Sequence, residues 1–246
     1  MRPRKCRGKD GPANRLPSRR WRPSRTSRQN RRMTSDAPDD EARSVATRVA
    51  DYRCRVADAF ETLTREQWES PSWCSGWRVR DVLGHLVHNA EASRVSMVRD
   101  VIRHPIRPDR GLDLIARQLG DEPVPTLAQR LRKAQHGGVH VIGFPAAVGL
   151  GDVLVHGNDA LRALGLEFRV DPDDAVAVLN AYGRVGGLIF HARPSGRVRL
   201  VATDVKWWCG QGPEVTGRAI DLVMLMANRQ QIVGTLSGPG VADVAD

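Results

Sequence analysis

The sequence predicts a mainly α-helical protein, a four-helix bundle followed by a small α/β domain. Three observations carry that expectation. Four segments between residues 41 and 164 repeat apolar residues at three-and-four spacing, a strong helix start stands at Asp171-Pro172-Asp173-Asp174, and "GRVRLVA" beyond it alternates as a strand does.

The first helix is read from Glu41 to about Glu66, with Val45, Val49, Tyr52, Val56, Phe60 and Leu63 forming one buried stripe. Ser70-Pro71-Ser72 interrupts it, because proline lacks an N–H and biases the preceding residue away from helical geometry. A second helix follows Gly76-Trp77, with Val79, Val82, Leu83, Leu86 and Ala90 on its apolar face and Asp81 at its positive end; it fades near Arg103-His104-Pro105. A third is expected after "PDRGLDLIARQLGDEPVP", with Thr126 and Gln129 as its capping box, Leu127, Leu131 and Ala134 as its core face, and Gly137-Gly138 closing it. The fourth runs from about Pro145 to Leu164, ended by Gly165.

The fifth helix starts at the Asp171 cap and reaches roughly His191. "GRVRLVA" is then a strand, "VTGRAIDLVMLMANR" a helix and "QIVGTL" a second short strand. The expected organisation is a basic leader over 1–40, a helical bundle over 41–168 and an α/β domain over 169–246.

Charge is unevenly spread. Of 38 Lys+Arg and 28 Asp+Glu, residues 1–32 hold 13 basic side chains and only Asp10, leaving 25 basic against 27 acidic elsewhere. Rich in Arg, Pro, Ser and Gly, the leader is expected to be disordered. Met33 before the acidic "TSDAPDDEA" has the character of a natural start, so residues 1–32 are read as an over-extended start or dispensable tail. Nucleic acid is not an expected partner except through this leader, since the body carries no recognition motif.

No apolar run suits a membrane span, and the four cysteines form no C-x-x-C pair. A reducing cytoplasm is the expected compartment. Oligomeric state is not legible.

Candidate chemistry begins with histidine. On a helical wheel His85 falls roughly 130° from the centre of its helix's apolar face and His88 almost opposite the core, positions typical of solvated residues. Asp152 and His156, four apart on the fourth helix, share one face and occupy a comparable flank. If the two flanks meet, one carboxylate and two imidazoles converge, a set that leaves a position open on zinc and also suits iron or another divalent ion. Spacing alone leaves the surface reading open beside the metal reading.

Other residues divide similarly. Asp159 could orient His156 or be a surface charge. Cys74, just before the second helix, could gain thiolate character there but is read first as a buried structural thiol, with Trp73, Trp77 and Leu83 as packing. Trp207-Trp208 could cover a ligand or fill the core, and Met224 and Met226 are assigned to packing. Arg229 could grip a carboxylate or serve the end of its helix.

"SPSWCSGWRVRDVLGHLVHNAE" resembles the N-terminal signature of the mycothiol-dependent maleylpyruvate isomerase family, "DVLVHGNDALRALG" its second metal segment, and "GPEVTGRAIDLVMLMANRQ" its C-terminal segment. The resemblance implies a DinB-like bundle binding a divalent metal, expected to be zinc, through His85, Asp152 and His156, with mycothiol as thiol cosubstrate and Arg229 as a catalytic residue. It implies an isomerase or S-transferase acting on a small electrophile. A metal-activated thiolate adds to the electrophile; in an isomerase, rotation and elimination restore the thiol. The alternative is a non-catalytic metal-binding or interaction module. Two departures stand out: Asp152 replaces the family's usual glutamate, and Asn228-Arg229 replaces Gly-Arg.

Overall fold

The computed structural model describes residues 38–92, 108–137, 145–189 and 197–245. The basic leader and the far end of the second predicted helix, including His104, lie outside these residues. So do Gly138 and residues 190–196, where the fifth predicted helix was to end.

Helix α1, Pro38–Thr62, stops earlier than its apolar stripe suggests. Thr64 then opens a short helix α2, Arg65–Glu69, through a reciprocal pair: Gln67 N donates to Thr64 Oγ1 and Thr64 N to Gln67 Oε1. Helix α3, Val79–Glu91, places Asp81 where its carboxylate accepts from Arg78 N at 2.8 Å.

Helix α4, Pro108–Gly120, is separate and packs along α3. The sequence reading had no helix there. Gly84 permits the close approach, since a Cβ there would sit 2.5 Å from the Ala116 carbonyl oxygen. Helix α5, Val124–Lys133, begins before the predicted Thr126 box. Pro125, in its first turn, has the φ a helix start needs and no N–H to satisfy there, so the helix starts ahead of Thr126.

Helix α6, Ala147–Ala163, follows the expected span. Gly165, at φ +72°, terminates it with Leu166 N donating to Leu161 O and Gly165 N to Arg162 O. Helices α1, α3, α5 and α6 pack on one another as the four-helix bundle around Val56, Phe60, Leu83, Leu86, Leu127, Leu131, Leu150 and Leu154, all buried.

Helix α7, Pro172–Ile189, opens as predicted, with Asp171 Oδ1 accepting from Asp173 N at 2.9 Å. It packs on α6, and Asp174 accepts from both Arg48 and Tyr52 of α1.

A three-stranded sheet follows in the order β2-β1-β3. Strand β1 is Arg199–Ala202, β2 Trp208–Gly210 and β3 Glu214–Gly217. Strands β1 and β2 are antiparallel, with Leu200 opposite Cys209, while β1 and β3 run parallel, with Leu200 opposite Val215.

Two sequence expectations give way here. "VTG" is strand rather than helix, so α8 spans only Ala219–Met226. "QIVGTL" forms a 3-10 helix, Gln230–Thr235, rather than a strand. In the first case tertiary pairing with β1 overrides local helical periodicity. In the second the sheet is paired beside Thr216 by Ser237 instead, leaving Ile232 to point into the core.

Trp207, Met224 and Met226 are core residues, whereas Trp208 is exposed beneath the Arg199 guanidinium, 4.5 Å from its ring centroid. No described helix is long and apolar enough to cross a membrane.

Candidate metal centre

Helices α3 and α6 lie side by side in the bundle, and this brings His85, Asp152 and His156 together. Asp152 Oδ1 is 3.4 Å from His85 Nε2 and 3.7 Å from His156 Nε2, and one ligand atom from each residue lies within 4.8 Å of the others. Donors about 2.0–2.1 Å from a tetrahedral ion stand about 3.3 Å from each other, so both carboxylate–imidazole spacings suit a common ion. The shorter Asp152 therefore reaches both imidazoles despite the methylene it lacks relative to glutamate.

His85 is buried rather than solvated. Its ring stacks obliquely on Trp77, with centroids 5.1 Å apart, and faces His156 edge-on at 4.5 Å. The wheel misjudged it because Trp77, in the loop before α3, and His156 of α6 cover a flank of α3 that its apolar stripe leaves polar. His88, on the outer side, belongs to neither group of potential ligands among the described residues.

Behind His156 stands Asp159, fully buried, with Oδ2 3.1 Å from His156 Nδ1. A carboxylate there keeps a proton on Nδ1 and turns Nε2 toward Asp152. Of the two readings of Asp159, the orienting one fits this geometry. Arg229 holds Asp159 in turn: Nε donates to Oδ1 at 2.8 Å and Nη2 to Oδ2 at 2.7 Å, while Nη1 donates to Ala227 O.

Asn228 explains how Arg229 arrives there. At φ +62° it is a non-glycine residue in left-handed geometry, with Arg229 N donating to Met224 O and Asn228 N to Leu225 O. Asparagine tolerates this conformation better than other side chains, so it performs the turn that glycine would.

Cys74 packs against the core, as the structural reading expects, but its surroundings are polar. Half-buried, its Sγ lies 3.0 Å from Asp159 Oδ2, 3.4 Å from His156 Nδ1 and 3.6 Å from Arg229 Nη2. Cys74, His156 and Asp159 form a second convergent set of potential ligands. The Arg229 guanidinium already supplies the positive charge on that side, which disfavours a cation between them.

Electrostatics favour a cation on the other side. Burial would raise the Asp152 carboxyl, but its bond to His85, the positive charge of His156 and the Asn89 amide hold it well below the usual range. Burial would lower His156, yet Asp159, Cys74 and Asp152 push it up to about 10. Burial, then the charge of His156, lower His85 and keep it neutral. Two carboxylates thus keep a positive charge at His156, and a divalent ion could take the proton's place.

Sequence reasoning missed Asn89, one turn beyond His85. Its amide nitrogen lies 3.0 Å from His85 Nε2 and donates to Asp152 Oδ1 and Oδ2 at 3.2 and 3.1 Å. The i, i+4 spacing from His85 was the available signal.

A cleft of about 480 Å³ opens at the Cys74–Arg229 end of this cluster, lined by Trp73, Trp77, Asp113 and Gln231 among others. Trp77 spans both features, its Nε1 donating to Asp113 Oδ1 at 2.6 Å and its ring packing on both imidazoles.

The bundle and its buried two-histidine, one-carboxylate cluster define a class: helical proteins with a candidate metal centre between two core helices. Residues 49–149 match the family model described as the mycothiol maleylpyruvate isomerase N-terminal domain, the family that the sequence resembles. The match contains His85 and Asn89 and ends before Asp152. The chain is also similar to a solved mutant of the mycothiol-dependent maleylpyruvate isomerase, at TM-score 0.50 and 15% identity over 84% of this chain and 96% of that one. A second structure of a mycothiol-dependent maleylpyruvate isomerase aligns at TM-score 0.46 and 14% identity, with the same coverage. At these identities the likeness shows the fold. No curated protein matches the chain.

Proposed function

We propose that the protein is a divalent-metal, mycothiol-dependent enzyme, an isomerase or S-transferase that adds a low-molecular-weight thiol to a small electrophile in the cytoplasm. The observation that carries this reading is the convergence of His85, Asp152 and His156, with Asp159 behind His156 to fix its tautomer. Zinc suits the donor set of two imidazoles and one carboxylate, which leaves a fourth position for a sulfur.

Such an ion would supply Lewis acidity, lowering the pKa of a coordinated thiol so that its thiolate is available at neutral pH. His85 and His156 would hold it through Nε2 and Asp152 through Oδ1. Asp159 keeps a proton on His156 Nδ1. Arg229 acts through Asp159 as a positioning residue, because its paired N–H groups are already committed to that carboxylate. Trp77 covers both imidazoles and limits water, and the adjoining cleft offers room for the rest of the thiol or for the electrophile.

Elemental analysis of the purified wild type beside His156→Ala tests the reading. One equivalent of metal in the wild type and little in the variant is expected, with thiol conjugation of small electrophiles lost in parallel. A wild type without stoichiometric metal after incubation with zinc, iron or manganese overturns it.

A further inference from the structure

We infer that Asn89 is a positioning residue that keeps Asp152 bound through one oxygen only, and so keeps a coordination position free for the thiol. This inference rests on the metal-centre reading above. Asp152 Oδ1 lies 3.4 and 3.7 Å from the two imidazoles, and the Asn89 amide spans the edge of the carboxylate, 3.2 Å from Oδ1 and 3.1 Å from Oδ2.

A carboxylate on a short aspartyl stem can turn about its last bond and present both oxygens to an ion. Bidentate binding would fill the position that a fourth ligand needs. A donor spanning both oxygens opposes that, because an ion shared by Oδ1 and Oδ2 would displace the half-buried amide from the carboxylate edge it occupies. Asn89 is well placed to do this, since α3 fixes it one turn from His85 and on the same face.

The same amide nitrogen lies 3.0 Å from His85 Nε2 and 3.2 Å from Oδ1. Three acceptors thus converge on one donor group, at the place where the ligand set would want positive charge. When the His85 lone pair turns to an ion, the bonds to Asp152 are what remain to the amide. Orienting partners of this kind change metal affinity by about 10- to 100-fold when removed.

The test uses full-length protein loaded with zinc or cobalt, comparing wild type with Asn89→Ala and Asn89→Leu. Zinc affinity is measured by competition with a chromophoric chelator, and coordination by the visible spectrum of the cobalt form with and without a simple thiol. The expected result is zinc affinity weakened about 10- to 100-fold in both variants, a cobalt spectrum of raised coordination number, and a weaker spectral response to thiol. Circular dichroism and the thermal midpoint of the metal-free proteins should match the wild type, since Asn89 is only half-buried. Unchanged zinc affinity and cobalt spectra in both variants overturn the inference while leaving the metal centre standing. A wild type that binds no metal fails the earlier reading instead.

Discussion

Arg229 and Asp159 form a two-pronged ion pair across 70 residues of sequence, with both carboxylate oxygens engaged by parallel guanidinium N–H groups. Asp159 is fully buried and Arg229 about one-fifth exposed. Burial would raise the Asp159 carboxyl, but the bonds from Arg229 and His156 keep it far below the usual range, so it is charged at every working pH.

Removing the guanidinium strands that charge. Arg229→Ala is expected to lower unfolding free energy by about 3–5 kcal/mol. Urea denaturation checks this, and Arg229→Ala combined with Asp159→Asn should recover part of the loss. If Arg229 served only to hold substrate, stability would not move.

Asp159→Asn changes the acceptor behind His156 while keeping its size. The imidazole then loses the partner that fixes its tautomer, and metal affinity should fall about 10- to 100-fold. Chelator competition on the purified variant reads this directly. An affinity equal to wild type would mean that His156 does not depend on Asp159 for its orientation.

Tyr52 gives a pH signature remote from the site. Its hydroxyl donates to Asp174 at 2.8 Å and accepts from Asp171 N at 3.0 Å, and burial, with the Asp174 charge, pushes its pKa up to about 12. The unfolded chain loses this proton near pH 10 while the fold retains it. The stabilisation is therefore complete below pH 10 and disappears as pH rises toward 12, by on the order of 2 kcal/mol. Stability measured from pH 9 to 12 should fall more steeply in wild type than in Tyr52→Phe.

Asn228 makes a backbone prediction. Because its φ is +62°, Asn228→Gly should be neutral or stabilising and leave the Arg229–Asp159 pair intact. Asn228→Ala should cost about 1 kcal/mol. The thermal midpoint should therefore equal or exceed the wild-type value in Asn228→Gly and fall below it in Asn228→Ala.

Gly84 tests the packing that buries His85. With the Ala116 carbonyl oxygen 2.5 Å from any added Cβ, Gly84→Ala must separate α3 from α4. A loss of about 1–3 kcal/mol is expected, seen in chemical denaturation.

What the sequence made legible was periodic or local. The stripes of α1 and α6, the Asp171 cap and the Gly165 terminus each follow from a few adjacent residues. Strand β3 and the 3-10 helix after Arg229 were misread because their states depend on pairing with β1 and Ser237, contacts that no local window contains. At the site, the Asp152–His156 spacing was visible. Burial of His85, the buried place of Asp159 and the polar surroundings of Cys74 were not, since each is created by a neighbour far along the chain. The family resemblance had grouped His85 with Asp152 and His156, three side chains that lie together in the fold, but it left Asn89 unnoticed.

Arg162 and Asp221, 2.8 Å apart and both nearly covered, join α6 to α8 a short distance from the Arg229–Asp159 pair. Two charge-matched rivets therefore fasten the carboxyl-terminal third to the helix that carries Asp152 and His156. Swapping that third for the equivalent piece of a distant relative would demand matching arginines and aspartates on both sides of the seam. The halves of this molecule are constrained to change together.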